Sequence, residues 1–335
     1  MARALALYSG GLDSILAVLV ILRQGVEVTA LSFLTRIGCG ISDRSPARGA
    51  LTATAERFGF TLRLIDLSEK FMAIVRNPAH GYGRNMNPCL DCKILMLREA
   101  RELLEREGFD FIITGEVLYQ RPMSQRRDTF PVIEREAGLK GLILRPLSAR
   151  LLNPTIPEER GLVRRELLYG FSGRSRKPQM ALAKELGLTD YPQPAGGCLL
   201  TDPIYSHRLR EFLIHNPEPT SRDLSLLRLG RHFRVSGDCT IIVGRDEAEN
   251  AAIQEIAAEN DTLFFVPEYG SPVTLLRGDC TDEAVRLAAS LCARYSDAKG
   301  LPAVDVNVLR NSQTLTIRVE PSSESTSARY RVQPP

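Results

Sequence analysis

One stretch near the N-terminus constrains the fold of this chain more than any other: Ala4-Leu5-Ala6-Leu7-Tyr8-Ser9-Gly10-Gly11-Leu12-Asp13-Ser14. A short apolar run meets a Ser-Gly-Gly turn, and an apolar helical pattern over residues 15–22 begins at once. Glycines let a backbone turn sharply and approach a ligand with no side chain in the way. The N–H groups at a helix start, together with the helix dipole, favour an anion. The stretch therefore reads as a phosphate site on a strand-to-helix turn. An ordinary turn with an acidic cap is the other reading of the same residues. No Gly-Lys-Ser/Thr follows, so this is not the common P-loop, and it is not G-x-G-x-x-G either.

The pattern beyond it repeats strand and helix. Residues 26–34 are β-prone, 45–58 helical, and 60–65 alternate as a third strand. A loop with Asn77, Pro78, Gly81 and Gly83 follows. Residues 89–107 form a long helical pattern that Gly108 stops, 109–115 a fourth strand ending in glycine, and 142–144 a short fifth. Strands alternating with helices imply an α/β fold with a parallel sheet covered on both faces, and ligands in such sheets bind beyond the carboxyl ends of the strands. That places Ser9 to Ser14, residues 34–39 and Thr114-Gly115-Glu116 on one edge. Helical patterns at 176–187 and 204–215 complete a first domain over 1–216. Asn216-Pro217-Glu218-Pro219-Thr220-Ser221 reads as a linker. A small α+β domain over 222–320 follows, with strands at 231–235, 240–243, 262–265 and 273–276, helices at 246–258 and 281–294, and a late hairpin at 304–309 and 315–319. The Ser-rich end, 321–335, is expected to be disordered.

Cysteines form the second constellation. Asn87-Pro88-Cys89-Leu90-Asp91-Cys92-Lys93 sets a C-x-x-C at a helix start, where thiolates are favoured. Cys198 sits in a Gly-Gly turn. Three thiolates could hold three irons of a [4Fe–4S] cluster and leave the fourth open. Zn2+ is a second reading, and a metal-free pair carrying a persulfide is a third. Cys39, in Gly38-Cys39-Gly40, is expected near the same edge. Cys239, Cys280 and Cys292 read as packing residues.

Seven cysteines in a chain with no secretory pattern argue against a disulfide framework. No apolar run approaches a membrane span, and a cytoplasmic protein is expected. Net charge is +3, but residues 138–180 hold nine Lys or Arg against three acids, which taken alone reads as a solvated face and beside a phosphate site reads as a surface for a phosphate backbone.

On these residues the chain resembles a known group. Ser-Gly-Gly-x-Asp-Ser after an N-terminal strand resembles the PP-loop of the N-type ATP pyrophosphatases. With Asn87-Pro88-Cys89-x-x-Cys92 it resembles the tRNA thiolation enzymes, the 2-thiouridylases and the thiamine/4-thiouridine sulfurtransferase group. Thr114-Gly115-Glu116-Val117-Leu118-Tyr119-Gln120-Arg121-Pro122-Met123-Ser124-Gln125, Ser172-Gly173-Arg174-Ser175-Arg176-Lys177-Pro178-Gln179 and Pro194-Ala195-Gly196-Gly197-Cys198 look like further signatures. Gly230-Arg231-His232-Phe233-Arg234 and Val243-Gly244-Arg245 resemble the NFACT-type RNA-binding domain. Neither an N-terminal RNA-binding module of the 4-thiouridine type nor a rhodanese-like tail is visible.

The resemblance implies an adenine-nucleotide alpha-hydrolase-like fold and ATP-dependent thiolation of a tRNA uridine. ATP phosphates would lie on Ser9, Gly10, Gly11, Asp13 and Ser14, with Mg2+ near Asp13, and the adenine near Ser32, Phe33, Thr114 and Gly115. Cys89, Cys198 and Asp13 would be catalytic, with Cys89, Cys92 and Cys198 as candidate cluster ligands. Arg121, Arg126, Arg127, Arg174, Arg176 and Lys177 would hold tRNA. A sulfur donor (cysteine desulfurase, carrier protein or free sulfide) is required, and a homodimer is open. His232 with Phe233 reads as a surface His beside a core Phe, or as a base-stacking pair. Two other classes fit part of the pattern: a PP-loop synthetase amidating a small molecule, and a non-catalytic RNA-binding protein.

Overall fold

The computed structural model describes residues 1–37, 46–193 and 197–334. Cys39 and Pro194-Ala195-Gly196 lie outside the described residues. The chain divides into two compact units, Met1–Thr201 and Asp202–Pro335.

In the first unit the elements run β1 Arg3–Leu7, α1 Leu12–Leu22, β2 Glu27–Leu34, α2 Pro46–Phe58, β3 Thr61–Asp66, α3 Ser68–Arg76, α4 Cys89–Glu107, β4 Phe111–Thr114, α5 Thr129–Ala137, β5 Ile143–Leu144, α6 Ile156–Glu159 and α7 Lys177–Glu185. Among the described residues the strands form one parallel sheet in the order β3-β2-β1-β4-β5. Side chains alternate across a strand. Ala4 and Ala6 of β1 therefore pack with α1 on one face, and Leu5 and Leu7 pack with Ile94, Leu97 and Leu103 of α4 on the other. Buried from Leu12 to Ile21 except at Asp13, α1 is apolar nearly all round, as a helix enclosed by other elements must be. The expected α/β sheet with helices on both faces is thus the observed one. From β1 the chain moves outward to β2 and β3, then returns to β4 on the other side. The switch point lies between β1 and β4, where such sheets bind ligands.

The second unit runs α8 Pro203–His215, α9 Ser221–Leu226, β6 Arg231–Arg234, β7 Thr240–Val243, α10 Glu247–Ile256, β8 Thr262–Phe265, β9 Thr274–Arg277, α11 Asp282–Arg294, β10 Val304–Arg310, β11 Gln313–Val319 and α12 Glu324–Tyr330. Its strands pair antiparallel in the order β11-β10-β8-β9-β7-β6. Phe233, Phe264 and Leu276 pack against α11 on one face, and Ile242 and Leu275 pack with Ile253 and Leu226 on the other.

Several expectations are corrected here. The division falls at 201/202 rather than at 216, because Arg208 of α8 donates to Leu227 O at 3.1 Å and Gly230 O at 2.8 Å and so ties α8 into the second unit. The end expected as a disordered tail carries α12, and Val332 N donates to His232 O at 2.8 Å. Its order comes from polar contacts together with Tyr330 packed on the core of the second unit, a single apolar contact that no periodic pattern marks. Cys239 and Cys280 are joined as a disulfide, and only Cys292 is a buried packing thiol. His232 and Phe233 are both buried, so neither presents a face for stacking.

Candidate active site

β1 ends at Leu7, and the backbone reverses at Gly10 with φ +72°. The positive φ favours glycine, and the Leu51 side chain, which fills the place that a Cβ on Gly10 would occupy, would have to move for any other residue. Gly11 is the N-cap of α1, and no side chain caps it. A helix start left uncapped by side chains can receive an anion on its first N–H groups. Ser14 Oγ donates to Gly11 O at 2.8 Å and lies 3.4 Å from Ser9 Oγ.

β4 delivers the opposite wall. A Cβ on Gly115 would stand 2.6 Å from Ser14 N and 2.7 Å from Ser14 Cα, so the end of β4 lies directly on the start of α1. Thr114 is buried there. Ser32 and Phe33, at the carboxyl end of β2, are buried as well. Behind Gly115, Glu116 is fully buried, accepts from Thr114 Oγ1 and Arg145 Nε at 3.0 Å each, and pairs with Lys93 at 3.4 Å. Burial alone would raise its pKa. Lys93 and Arg145 outweigh that, and the carboxyl is held below its ordinary value. Arg145 also pairs with Glu134 at 2.6 Å and lies over the Phe130 ring.

The segment after β4 folds back over this edge. Leu118 N donates to Ser148 Oγ at 3.0 Å, and Tyr119 N to Gln125 O at 2.7 Å. Gln120 Nε2 donates to Asp13 Oδ2 at 3.0 Å, while Asp13 Oδ1 is buried with no hydrogen-bond partner. Met123 stands where a Cβ on Gly83 would be, which brings this segment against the loop ahead of α4.

Cys89 opens α4 and Cys92 follows one turn on, both half-buried, as is Cys198. Two bonds join their segments across the chain: Asn85 Nδ2 to Thr201 O at 2.7 Å and Met86 N to Leu200 O at 3.2 Å. Thr201 in turn donates to Cys198 O from its backbone N–H and its hydroxyl. Three thiolates are a suitable donor set for a cluster, but among the described residues no three His, Cys, Asp or Glu side chains form a group able to hold a metal ion. The two cross-chain bonds bring the segments that carry Cys89, Cys92 and Cys198 together. Between the two helix cysteines, Asp91 is buried and accepts from His80 N at 3.1 Å and contacts its Nδ1 at 3.0 Å, and His80 Nε2 meets Glu136 at 3.0 Å. Bonds to Asp91, then to Glu136, raise the His80 pKa.

Of the expected RNA-contacting residues, Arg121, Arg126, Arg127, Arg174 and Lys177 are exposed, and Arg176 is half-buried. Arg126 pairs with Asp128 at 3.2 Å, and Arg127 donates to Leu151 O at 2.7 Å. The basic stretch is smaller than its count. Arg145 lies in the buried network, and Arg165 is spent on Glu158 and two backbone carbonyls.

Residues 1–150 match the family model described as thiamine biosynthesis protein (ThiI), and residues 230–331 match the NFACT protein RNA binding domain. The first match lies within the first compact unit and the second within the second. A Probable tRNA sulfurtransferase from Aeropyrum pernix is 33% identical over 146 residues, 43% of this chain and 35% of that protein. The chain therefore spans about a third of the curated relative it matches. Solved structures similar to it include a 4-thiouridine synthetase–RNA complex with bound ATP (19% identity, TM-score 0.36, 56% of this chain and 52% of that one). Another is the U34-tRNA thiolase NcsA from Methanococcus maripaludis with its [4Fe-4S] cluster (15% identity, TM-score 0.33, 64% and 67%).

Sequence reasoning placed Glu116 on this edge but did not single out Gln120, Lys93 or His80 as neighbours of the site. For Gln120 a signal existed, a polar residue just beyond a strand's carboxyl end. For Lys93 and His80 there was none, because their partners are remote in sequence.

Proposed function

We propose that the protein is an ATP-dependent tRNA sulfurtransferase of the cytoplasm, which adenylates a uridine with release of pyrophosphate and then replaces its oxygen with sulfur. One observation carries the reading. The PP-loop and the cysteine segments belong to a single connected structure, from Asp13 through Gln120 and Met123 to the Gly83–Met86 loop and Thr201. A synthetase for small molecules would leave the cysteines at the end of that connection without a chemical role.

ATP phosphates lie on Ser9, Gly10, Gly11 and Ser14, and the first-turn N–H groups of α1 stabilise the charge gathering on the departing pyrophosphate. Asp13 Oδ1, buried and without a partner, fits a cation such as Mg2+, which when bound would offset phosphate charge. Thr114 and Gly115 bound the nucleotide side of the crevice. The uracil oxygen attacks the α-phosphorus, and pyrophosphate leaves. The terminal sulfur of a persulfide on Cys198 or Cys89 then attacks the activated carbon, and AMP departs with the former base oxygen. The other thiol takes the inner sulfur, which leaves a disulfide and the thiolated base, and a thiol reductant reopens the pair. Exposed Arg121, Arg174 and Lys177 hold the tRNA backbone. A desulfurase or carrier that bears a persulfide passes its outer sulfur to the reopened thiol, whereas free sulfide would instead attack the disulfide itself, giving a persulfide on one cysteine and a thiolate on the other; assembly as a homodimer is compatible with this scheme.

The test is pyrophosphate release with and without tRNA. Release that depends on tRNA, lost about 100-fold or more in Asp13→Ala while tRNA binding persists, is the expected result. Release driven by a small molecule in the absence of RNA would overturn the reading.

A further inference from the structure

Tyr119 is held where an L side chain is disfavoured. Its φ is +62°, in the left-handed region that suits glycine. The residues around it are fixed. Leu118 is buried, bridges to Ser172 and accepts from Gly173 N at 2.7 Å. Tyr119 N itself is bonded to Gln125 O, and Gln120 is bonded to Asp13. Ser124 and Gln125, which close the loop, are buried. Yet the Tyr119 side chain is 50% exposed, so the strained backbone does not serve the core. A glycine would meet the same backbone demand with no strain. A large aromatic there, one residue from the group that grips the PP-loop aspartate and beside exposed Arg121, implies that the ring itself is used.

We propose that Tyr119 is the platform on which the target uracil stacks, holding the base at the mouth of the PP-loop crevice while its oxygen meets the α-phosphate. The inference rests on the thiolation reading above. The chemistry is specific. A uracil is small, flat and uncharged, so charge alone cannot orient it, and an aromatic face is the means by which proteins seize an unstacked base. Arg121, the next residue but one, supplies the positive charge that a flanking phosphate needs. Met123, on the same loop, reaches the cysteine segment at Gly83, so a base on Tyr119 lies between the two chemistries.

The test uses the full chain, a tRNA transcript, ATP and Mg2+, with tRNA-dependent pyrophosphate release as the readout. Tyr119→Gly removes the ring and the backbone strain together, so its thermal midpoint should equal or exceed that of the parent. Its kcat/KM for tRNA should fall about tenfold or more, with the KM for ATP unchanged. Tyr119→Phe, which keeps the face and loses only the hydroxyl, should retain activity to within about twofold. A transcript carrying 5-bromouridine in place of uridine should cross-link to the peptide containing Tyr119. Parental kinetics in Tyr119→Gly overturn the platform and leave the thiolation reading standing. If Tyr119→Gly proves unstable, the cross-link decides, and its absence from that peptide overturns the platform. A parent protein that releases no pyrophosphate with tRNA overturns both.

Discussion

Gln120 donates its side-chain amide to Asp13 across 3.0 Å, and this bond joins the loop after β4 to the first turn of α1. It fixes Oδ2 and leaves Oδ1, buried and unpartnered, as the oxygen that a cation or water can take. Gln120→Ala should therefore raise the KM for ATP and lower pyrophosphate release about tenfold, without abolishing it, because the PP-loop amides remain. Gln120→Glu, which sets two carboxylates against each other, should do more damage at neutral pH and recover in part under acid conditions.

Gly115 is a steric prediction. A methyl there would stand 2.6–2.7 Å from Ser14 N, Ser14 Cα and Asp13 C, all backbone atoms that cannot rotate away. Gly115→Ala must push β4 and α1 apart. Overpacking of this kind costs about 1–3 kcal/mol, and the displaced PP-loop should lose most ATP binding. Calorimetric titration of the nucleotide and thermal unfolding check the two effects separately.

How much was legible in the sequence follows the same division between local pattern and remote partner. The five strands and their parallel sheet, the Ser-Gly-Gly turn and the helix Cys89–Glu107 could be read, because apolar periodicity and a glycine stop at Gly108 (φ +69°) are local signals, whereas the strand order needed the fold. Two helices went unread although their patterns are present. In α5, Phe130, Ile133 and Ala137 recur on one face before Gly138, and in α3, Phe71, Met72 and Val75 do the same. α12 carries no such pattern, since Ser327 on Tyr295 and Arg294 on the Ser322 carbonyl hold it. Arg145 counted toward a basic surface, and only the fold reveals that Glu116 and Glu134 enclose it. The Cys239–Cys280 pairing needed the β7–β9 register, which spacing alone does not supply.

Burial, with Arg208 as the next contributor, pushes the His232 pKa down to about 3. Its Nε2–H donates to Leu226 O and Leu229 O, so the neutral ring is the one the fold requires. The unfolded chain takes up a proton below about pH 6.5, whereas the folded one does so only near 3. Stability from this group is thus complete above about pH 6.5 and is lost as pH falls toward 3, by about 1.4 kcal/mol per pH unit. Urea unfolding of the parent and of His232→Gln across that window should show a shallower acid slope in the variant.

The Cys239–Cys280 disulfide closes a loop with a sequence separation of 41. Chain-entropy arguments give such a loop about 4 kcal/mol of stabilisation. A thiol reductant, or Cys280→Ser, should therefore lower the unfolding transition of the second unit. The pyrophosphate release proposed for the first unit should persist.

The bond from Asn85 Nδ2 to Thr201 O offers a way to separate the two proposed half-reactions. It ties the segment before Cys89 to the turn after Cys198 and touches no PP-loop residue. Asn85→Ala should leave pyrophosphate release within about twofold of the parent and reduce thiolated product by about tenfold, the scale of one buried hydrogen bond lost in a positioned site. Cys89→Ala and Cys198→Ala should abolish product and spare adenylation. Iron, sulfide and zinc analysis of the anaerobically purified protein then identifies the sulfur carrier. Persulfide on a colourless protein, lost with Cys198 or Cys89, matches the scheme proposed. About four irons per chain with broad visible absorbance, lost in all three cysteine variants, would identify a cluster on Cys89, Cys92 and Cys198 and overturn the persulfide scheme. Loss of pyrophosphate release in Asn85→Ala to the same degree as product would show that the two segments also shape the nucleotide site, and would refute the separation.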